Sequence, residues 1–266
     1  NLNNYLCLLV LFLIFILLIC LNNHLTYISD VLFIDSFSLF IKSIVLFSTF
    51  IVFFISINLY PKYKISEYEF SLLILLSLLG IFLIISARDL IIMYLAIETL
   101  SLSLYVLAAV VRSSSYSAEA GLKYFVLGAL GSGLLLFGCA LVYFSTGLSN
   151  FDALSHLISL GHWDNAFLIG AIFLIISLLF KLAAAPFHMW APDVYEGSPT
   201  VVTIFFAVVP KVAGLALLIK FMFIPFSKIL LEWQTIIIFI SIASMILGAV
   251  AAMVQKNLKR LLAYSS

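Results

Sequence analysis

Stretches of about twenty apolar residues alternate with short polar clusters along this chain, and an apolar stretch of that length crosses the roughly 30 Å hydrocarbon core of a bilayer as a helix. The pattern places spans at residues 5–21, 37–59, 70–87, 90–111, 124–145, 167–185, 201–223 and 233–254. A ninth apolar stretch begins at Leu258 and the sequence stops at Ser266, inside the helix it would form. Stopping there leaves backbone groups and an apolar face unsatisfied. The expectation is therefore a fragment whose continuation is a separate chain or a further segment. The fold class that follows is all-α: a polytopic transmembrane helical bundle of about eight spans plus the start of a ninth.

Composition supports the same class. Of 266 residues, 65% are hydrophobic and 9% charged, with a mean hydropathy of +1.28. A soluble core of this size hides much less apolar surface, so soluble-enzyme and nucleic-acid readings fall away. The net charge of +1 carries no message about an acidic partner. Cys7, Cys20 and Cys139 stand singly in apolar runs, without CxxC or metal-ligand spacing, and read as small buried hydrophobes. The first apolar run has no basic flank and no cleavage site, so it reads as a permanent span and not as a signal peptide.

Charge in the loops orients the bundle. The side shared by Asn1 and the even-numbered loops carries Lys62, Lys64, Arg112, Lys123, Lys256, Lys259 and Arg260, against Arg88 and Lys228 opposite. By the positive-inside rule the N-terminus lies on the cytoplasm-like or matrix-like face. The odd loops, with His24, Asp30, Asp35, Asp152, His156, His162 and Asp164, read as plain solvated connections. In the fifth span Gly128, Gly131, Gly133 and Gly138 read as close helix packing by small residues, since no strand precedes the GxG that a nucleotide site would need. Just before it, Glu119 and Lys123 are spaced as a helical ion pair.

Three ionisable residues lie deep in the spans: Glu98, Lys181 and Lys211. At 1.5 Å per residue Glu98 is about 12 Å and Lys211 about 15 Å from the start of its span, and Lys181 about 21 Å into its own. A charge at the bilayer centre costs roughly 2.5–3.5 kcal/mol on insertion scales, so each needs a partner or a purpose. Pro186 removes the helical bond to the carbonyl of Leu182, beside Lys181, and Pro210 directly precedes Lys211; both read as helix breaks. Broken helices at membrane depth are tolerated where protein or water receives the freed groups. One reading is a buried Glu98–Lys181 salt bridge that only fixes helix register, which leaves Lys211 without an acid. The other is a proton relay through Glu98, Lys181 and Lys211, with His188 passing protons on toward the basic face. Asp193 and Glu196 follow, beside Trp190 and Tyr195 at interfacial depth, either as acids that fix the loop or as proton collectors at a channel mouth. Lys220 and Lys228 read as snorkelling residues at a span end.

Four strings carry a family likeness: DLIIMYLAIETLSLSLYVLAA (89–109), EAGLKYFVLGALGSGLLLFGCALVY (119–143), FKLAAAPFHMWAPDVYEGSPT (180–200) and SIASMILGAVAAMVQKNLKRLLAYSS (241–266). They cover most of residues 66–266 in order, and the third is highly specific. The chain resembles the antiporter-like membrane-arm subunits of NADH:ubiquinone oxidoreductase, mitochondrial respiratory complex I. The resemblance implies that Glu98 is the family's key glutamate, Lys181 the central channel lysine on a broken helix, and Lys211 the lysine linking to the next half-channel. It implies two inverted five-helix repeats, of which this chain holds N-terminal spans (1–65), a first proton half-channel repeat (66–232) and the truncated start of the second (233–266).

It further implies proton translocation coupled to quinone reduction elsewhere, with no cofactor and no metal in this chain. NADH, FMN, iron–sulfur clusters and ubiquinone would belong to the whole complex. Partners would be other membrane-arm subunits, a continuation carrying the second repeat, and membrane lipids, with no nucleic acid. The location would be the mitochondrial inner membrane, multi-pass, with the N-terminus on the matrix side. Two other classes stand beside this one: a cation/proton antiporter subunit, for which only Thr99, Ser101 and Ser103 near Glu98 offer oxygen ligands, and a scaffold without a working channel.

Overall fold

The polar clusters between apolar runs act first as helix caps. In the computed structural model, which describes residues 2–20, 26–28, 31–57, 59–63, 65–161 and 163–266 (backbone only at 2, 3, 26–28, 61 and 62), they stop and start nearly every span. Asp35 caps α2 (Ser36–Ser56) in a reciprocal box with Ser38, and Ser66 caps α4 (Glu67–Ser86). Asp89 accepts from the amides of Ile91 and Ile92 to open α5 (Leu90–Ala108). Ser114 opens α6 (Ser115–Thr146), Asn150 the short α7 (Phe151–Ser159), and Asp164 opens α8 (Asn165–Lys181). Gly147 ends α6 in the left-handed conformation that glycine adopts without strain.

The remaining elements are α1 (Leu2–Cys20), a two-stranded antiparallel hairpin β1 (Thr26–Ile28) and β2 (Leu32–Ile34), α3 (Tyr60–Tyr63), α9 (Trp190–Gly197), α10 (Thr200–Phe223), a single 3-10 turn (Ser227–Ile229), α11 (Leu230–Val254) and α12 (Leu258–Ser265). Among the described residues six helices are long and apolar enough to cross a membrane, and two shorter apolar ones, Asn4–Cys20 and Asn165–Lys181, complete the eight expected spans. The all-α class holds, with the hairpin as a small exception in a loop.

Small residues set the closest approach. A Cβ at Gly138 would meet the carbonyl oxygen of Gly170 at 3.0 Å, so α6 and α8 pack nearly backbone to backbone, and Gly80 stands likewise against α5. Gly128 and Gly131 lie under the rings of Tyr105 and Phe180, whereas Gly133 faces nothing within 4 Å. Phenylalanines fill the core: Phe53, Phe70, Phe151, Phe167, Phe205, Phe221 and Phe226 are fully buried. Helix α11 is different, since only Trp233 and Ile240 of its 25 residues are buried.

Several expectations are corrected. The break expected at Pro186 falls earlier: α8 stops at Lys181, Ala183 turns left-handed at φ 58°, and the chain re-enters helix at Trp190. Pro210 breaks nothing. Helix α10 runs through it, because the one carbonyl a proline at that position frees, that of Phe206, receives the Tyr195 hydroxyl at 3.2 Å. Trp190 and Tyr195 are packed inside the protein, 5% and 1% exposed; Trp190 stacks on Tyr124 and donates to the carbonyl of Phe180 at 3.1 Å. Nor are the odd-loop acids merely solvated. Asp152 pairs with Arg88 at 2.6 Å, Asp164 caps a helix, and Asp35 pairs with Lys220 at 3.0 Å. Lys220 does not snorkel, being 5% exposed, whereas Lys228 is exposed. Cys139 is buried as expected, but Cys20 is exposed and Cys7 half-buried. The calls on His24, Asp30, Lys64, His162 and the Lys62 side chain lie outside the described residues.

Candidate functional site

Lys181, the last residue of α8, extends its ammonium between α5 and α6. Its Nζ donates to Ser101 Oγ at 2.9 Å, to Ser132 Oγ at 2.9 Å and to Tyr105 OH at 3.4 Å. Helical spacing explains the first and last, since Ser101 and Tyr105 are one turn apart on α5. Ser132 comes from the glycine-lined face of α6, where Gly128 leaves room for the Tyr105 ring and Gly131 for that of Phe180. An ammonium has three N–H donors, and three hydroxyls take them. A hydroxyl both donates and accepts, so the same cage also suits a neutral amine, one hydroxyl turning to donate to its lone pair.

Glu98 lies on the same face of α5, one turn before Ser101. Among the described residues no ion pair joins the two, and Glu98 Oε1 is buried without a hydrogen-bond partner. The register-fixing salt bridge is therefore not formed. Oxygen ligands for a cation are not gathered at Glu98 either. Thr99, Ser101 and Ser103 hydroxyls bond back to the carbonyls of Leu95, Ile97 and Thr99 on their own helix, and no group of acids, histidines or cysteines suited to a metal ion occurs among the described residues.

Lys211 lies on α10 with its Nζ 2.7 Å from Ser266 Oγ and 5.8 Å from the centre of the Tyr195 ring. Ser266 in turn lines a cleft of about 580 Å³ with Ser241, Ser244, Tyr264 and His188. His188 presents its ring to Tyr264 at 5.9 Å, and its Nδ1 is buried without a partner. The helix break opens onto this cleft, and the amide of Ala185 donates to Ser244 Oγ at 2.9 Å. Asp193 and Glu196 do what the first of the two expectations assigned them. Asp193 binds Lys123 at 2.9 Å and Arg260, and Glu196 binds Arg260 at 2.7 Å and Asn257 at 2.7 Å, tying α9 to α6 and α12. Hydrogen bonds from Lys123, then from Arg260, outweigh partial burial and hold the Asp193 carboxyl below the usual carboxylate range. The expected Glu119–Lys123 pair is present at 2.8 Å.

Residues 87–266 match the family described as NADH:quinone oxidoreductase/Mrp antiporter, TM. The chain belongs to this family. Within it, the chain is 49% identical over 246 residues to NADH-quinone oxidoreductase subunit N of Pelagibacter ubique, covering 92% of this chain and 52% of that protein. It is 45% identical over 263 residues to NADH-ubiquinone oxidoreductase chain 2 of Marchantia polymorpha, covering 96% and 53% respectively. In structure it resembles a chain of respiratory complex I from Thermus thermophilus, with a TM-score of 0.83 and 32% identity over 98% of this chain and 55% of that one. The chain thus spans about half the length of the antiporter-like relatives it matches.

Two features were missed in the sequence, one in this site and one apart from it. Tyr105 and Ser132 have no signal beyond a helical step from Ser101 and from Gly128. Lys42 has the same signal that marked Lys181, a lysine inside an apolar run, and it is 6% exposed, 2.6 Å from Ser86 Oγ.

Proposed function

We propose that this chain is a proton-translocating subunit of the membrane arm of an NADH:quinone oxidoreductase, with a path through Glu98, Lys181 and Lys211 and a connection past His188 to the basic face. The observation that carries the path is the hydroxyl cage of Lys181, which serves the ammonium and the amine alike, so a proton can leave without stranding a buried group. A scaffold has no use for a cage open to both states, and an apolar residue there would cost less. The uncommitted oxygen of Glu98 is then the movable charge: approach toward Lys181 favours the ammonium, and withdrawal favours release. Redox chemistry with NADH, FMN, iron–sulfur clusters and ubiquinone belongs to the rest of such a complex. The partners on this reading are other membrane-arm subunits, the segment carrying the second repeat, and lipid. Residues 66–232 form the first half-channel repeat and 233–266 begin the second. The likeness to the Marchantia chain favours the mitochondrial inner membrane, with the N-terminus in the matrix, while the bacterial relatives would place an equivalent chain in the plasma membrane.

The test replaces Lys181 by Met, and separately Glu98 by Gln, in the assembled complex, and measures NADH:quinone turnover and pumping. Loss of pumping with intact assembly is expected. Normal pumping in both variants would refute the relay, and activity that requires sodium would favour the cation/proton antiporter.

A further inference from the structure

At the other end of the bundle, the face reached by the start of α2 and the ends of α4 and α10, a second group of charges is buried. Lys220 binds Asp35 at 3.0 Å and the carbonyl of Ile85 at 2.9 Å, so its ammonium is compensated. Lys42 is not. Its Nζ donates to Ser86 Oγ at 2.6 Å and stands 5.6 Å from the Phe82 ring, and no carboxylate is bonded to it among the described residues. Two lysines, 6% and 5% exposed, thus share one carboxylate. A buried charge without a counter-charge costs several kcal/mol, a cost removed when the group gives up its proton. From Asp35 to Lys42 is about 10 Å of helix, so the site lies within the outer third of the span. Along α10 Lys220 is about 13 Å beyond Lys211 and on the opposite side of that helix, which makes this a separate site and not another contact of Lys211.

We propose that Lys42 is a second proton-binding residue of this fold, exchanging with water at the face opposite His188, beside a fixed Lys220–Asp35 ion pair. The inference rests on the proton-translocating reading above. In the exchange the proton leaves Nζ for water, the bonding electrons stay as the amine lone pair, and the Ser86 hydroxyl turns from accepting to donating. The charged groups that face Lys42 are Asp35 on its own helix entry and Lys220 from α10, with Arg88, paired to Asp152, beyond Lys220. Helix α4 contributes only Ser86 and Phe82.

The experiment uses the complete complex in sealed vesicles, carrying Lys42→Met, Lys42→Arg or Lys181→Met. Arginine keeps the charge and cannot release it. Loss of pumping on the order of 10²-fold is expected in both Lys42 variants, the size of one proton-transfer group. Recovery by Lys42→Arg would make Lys42 a structural counter-charge and overturn the proposal. Pumping lost in Lys181→Met but normal in both Lys42 variants would overturn it too, while leaving the Lys181 relay standing. Normal pumping in Lys181→Met with loss in the Lys42 variants would do the reverse. A direct readout does not depend on the activity of any variant: ¹⁵N resonance of the lysine Nζ groups in the intact labelled complex, with the Lys42 signal assigned by its disappearance in Lys42→Arg. A Lys42 signal that changes with pH is expected; one that stays charged throughout the pH range of stability would overturn the proposal.

Discussion

A lysine held by hydroxyls differs from one held by a carboxylate in what it permits. The three partners of Lys181 fix its position without fixing its proton, and each hydrogen bond to the charged form is worth about 1.5–3 kcal/mol. Ser101→Ala and Ser132→Ala should therefore each lower thermal stability by about 1–3 kcal/mol, and the double variant should deviate from additivity because both bond one Nζ. Gly128 tests the same site from behind. A Cβ there would collide with the Tyr105 hydroxyl, so Gly128→Ala should cost about 1–3 kcal/mol and disturb the cage, with Tyr105→Phe recovering part of the loss. Gly133→Ala, with nothing within 4 Å, should be close to neutral in the same melting experiment. Glu98 and Lys181 could be read from the sequence because a charge in an apolar run is costly and therefore conspicuous. Tyr105 and Ser132 could not, and Ser101 only as an oxygen near Glu98, since a serine hydroxyl in a membrane helix ordinarily satisfies itself on its own backbone, as Ser77, Ser177 and Ser101 itself do.

Among the elements, α9 shows how a broken helix is kept in place. Its acids bind Lys123 of α6 and Arg260 of α12, so three helices meet in one charged network at the basic face. Asp193 is held below its ordinary value of about 3.9, so the stabilisation from its ionised form is complete above that value and is lost as pH falls through the lower, folded value. Backbone hydrogen exchange in α12 should then be insensitive to pH-driven undocking near neutrality and accelerate below about pH 4, while Asp193→Asn should show the faster exchange already at neutral pH. The spans themselves were legible to within a few residues, because twenty apolar residues leave a helix little alternative in lipid. Their ends were less so. Helix α6 begins at Ser115, nine residues before the apolar run, because Ser114 caps it and its first turns are polar. Proline misled in both directions, since the break after Lys181 precedes Pro186 while α10 absorbs Pro210 with a tyrosine hydroxyl from α9.

For the molecule as a whole, the two buried lysine sites give the bundle a polarity. Lys181, His188 and the Asp193 network lie toward the face that carries Arg112, Lys123 and Arg260, and the Lys42 site lies toward the face of Arg88 and Asp152. On the proposed reading the positive-inside rule makes the first face the matrix-like side, so that the path would open to it past His188 and reach the opposite face at the Lys42 site. Ser113, in the turn before α6, and Ser159, the last residue of α7, are both exposed, and the single span α6 separates them. In sealed vesicles oriented with the matrix-like side outward, a membrane-impermeant thiol reagent should label Ser113→Cys and leave Ser159→Cys unlabelled until the vesicles are opened. The reverse pattern would invert the direction of any path through Lys181. Labelling of both without opening would mean that residues 113 and 159 share a side, which the odd number of spans between them forbids in this fold.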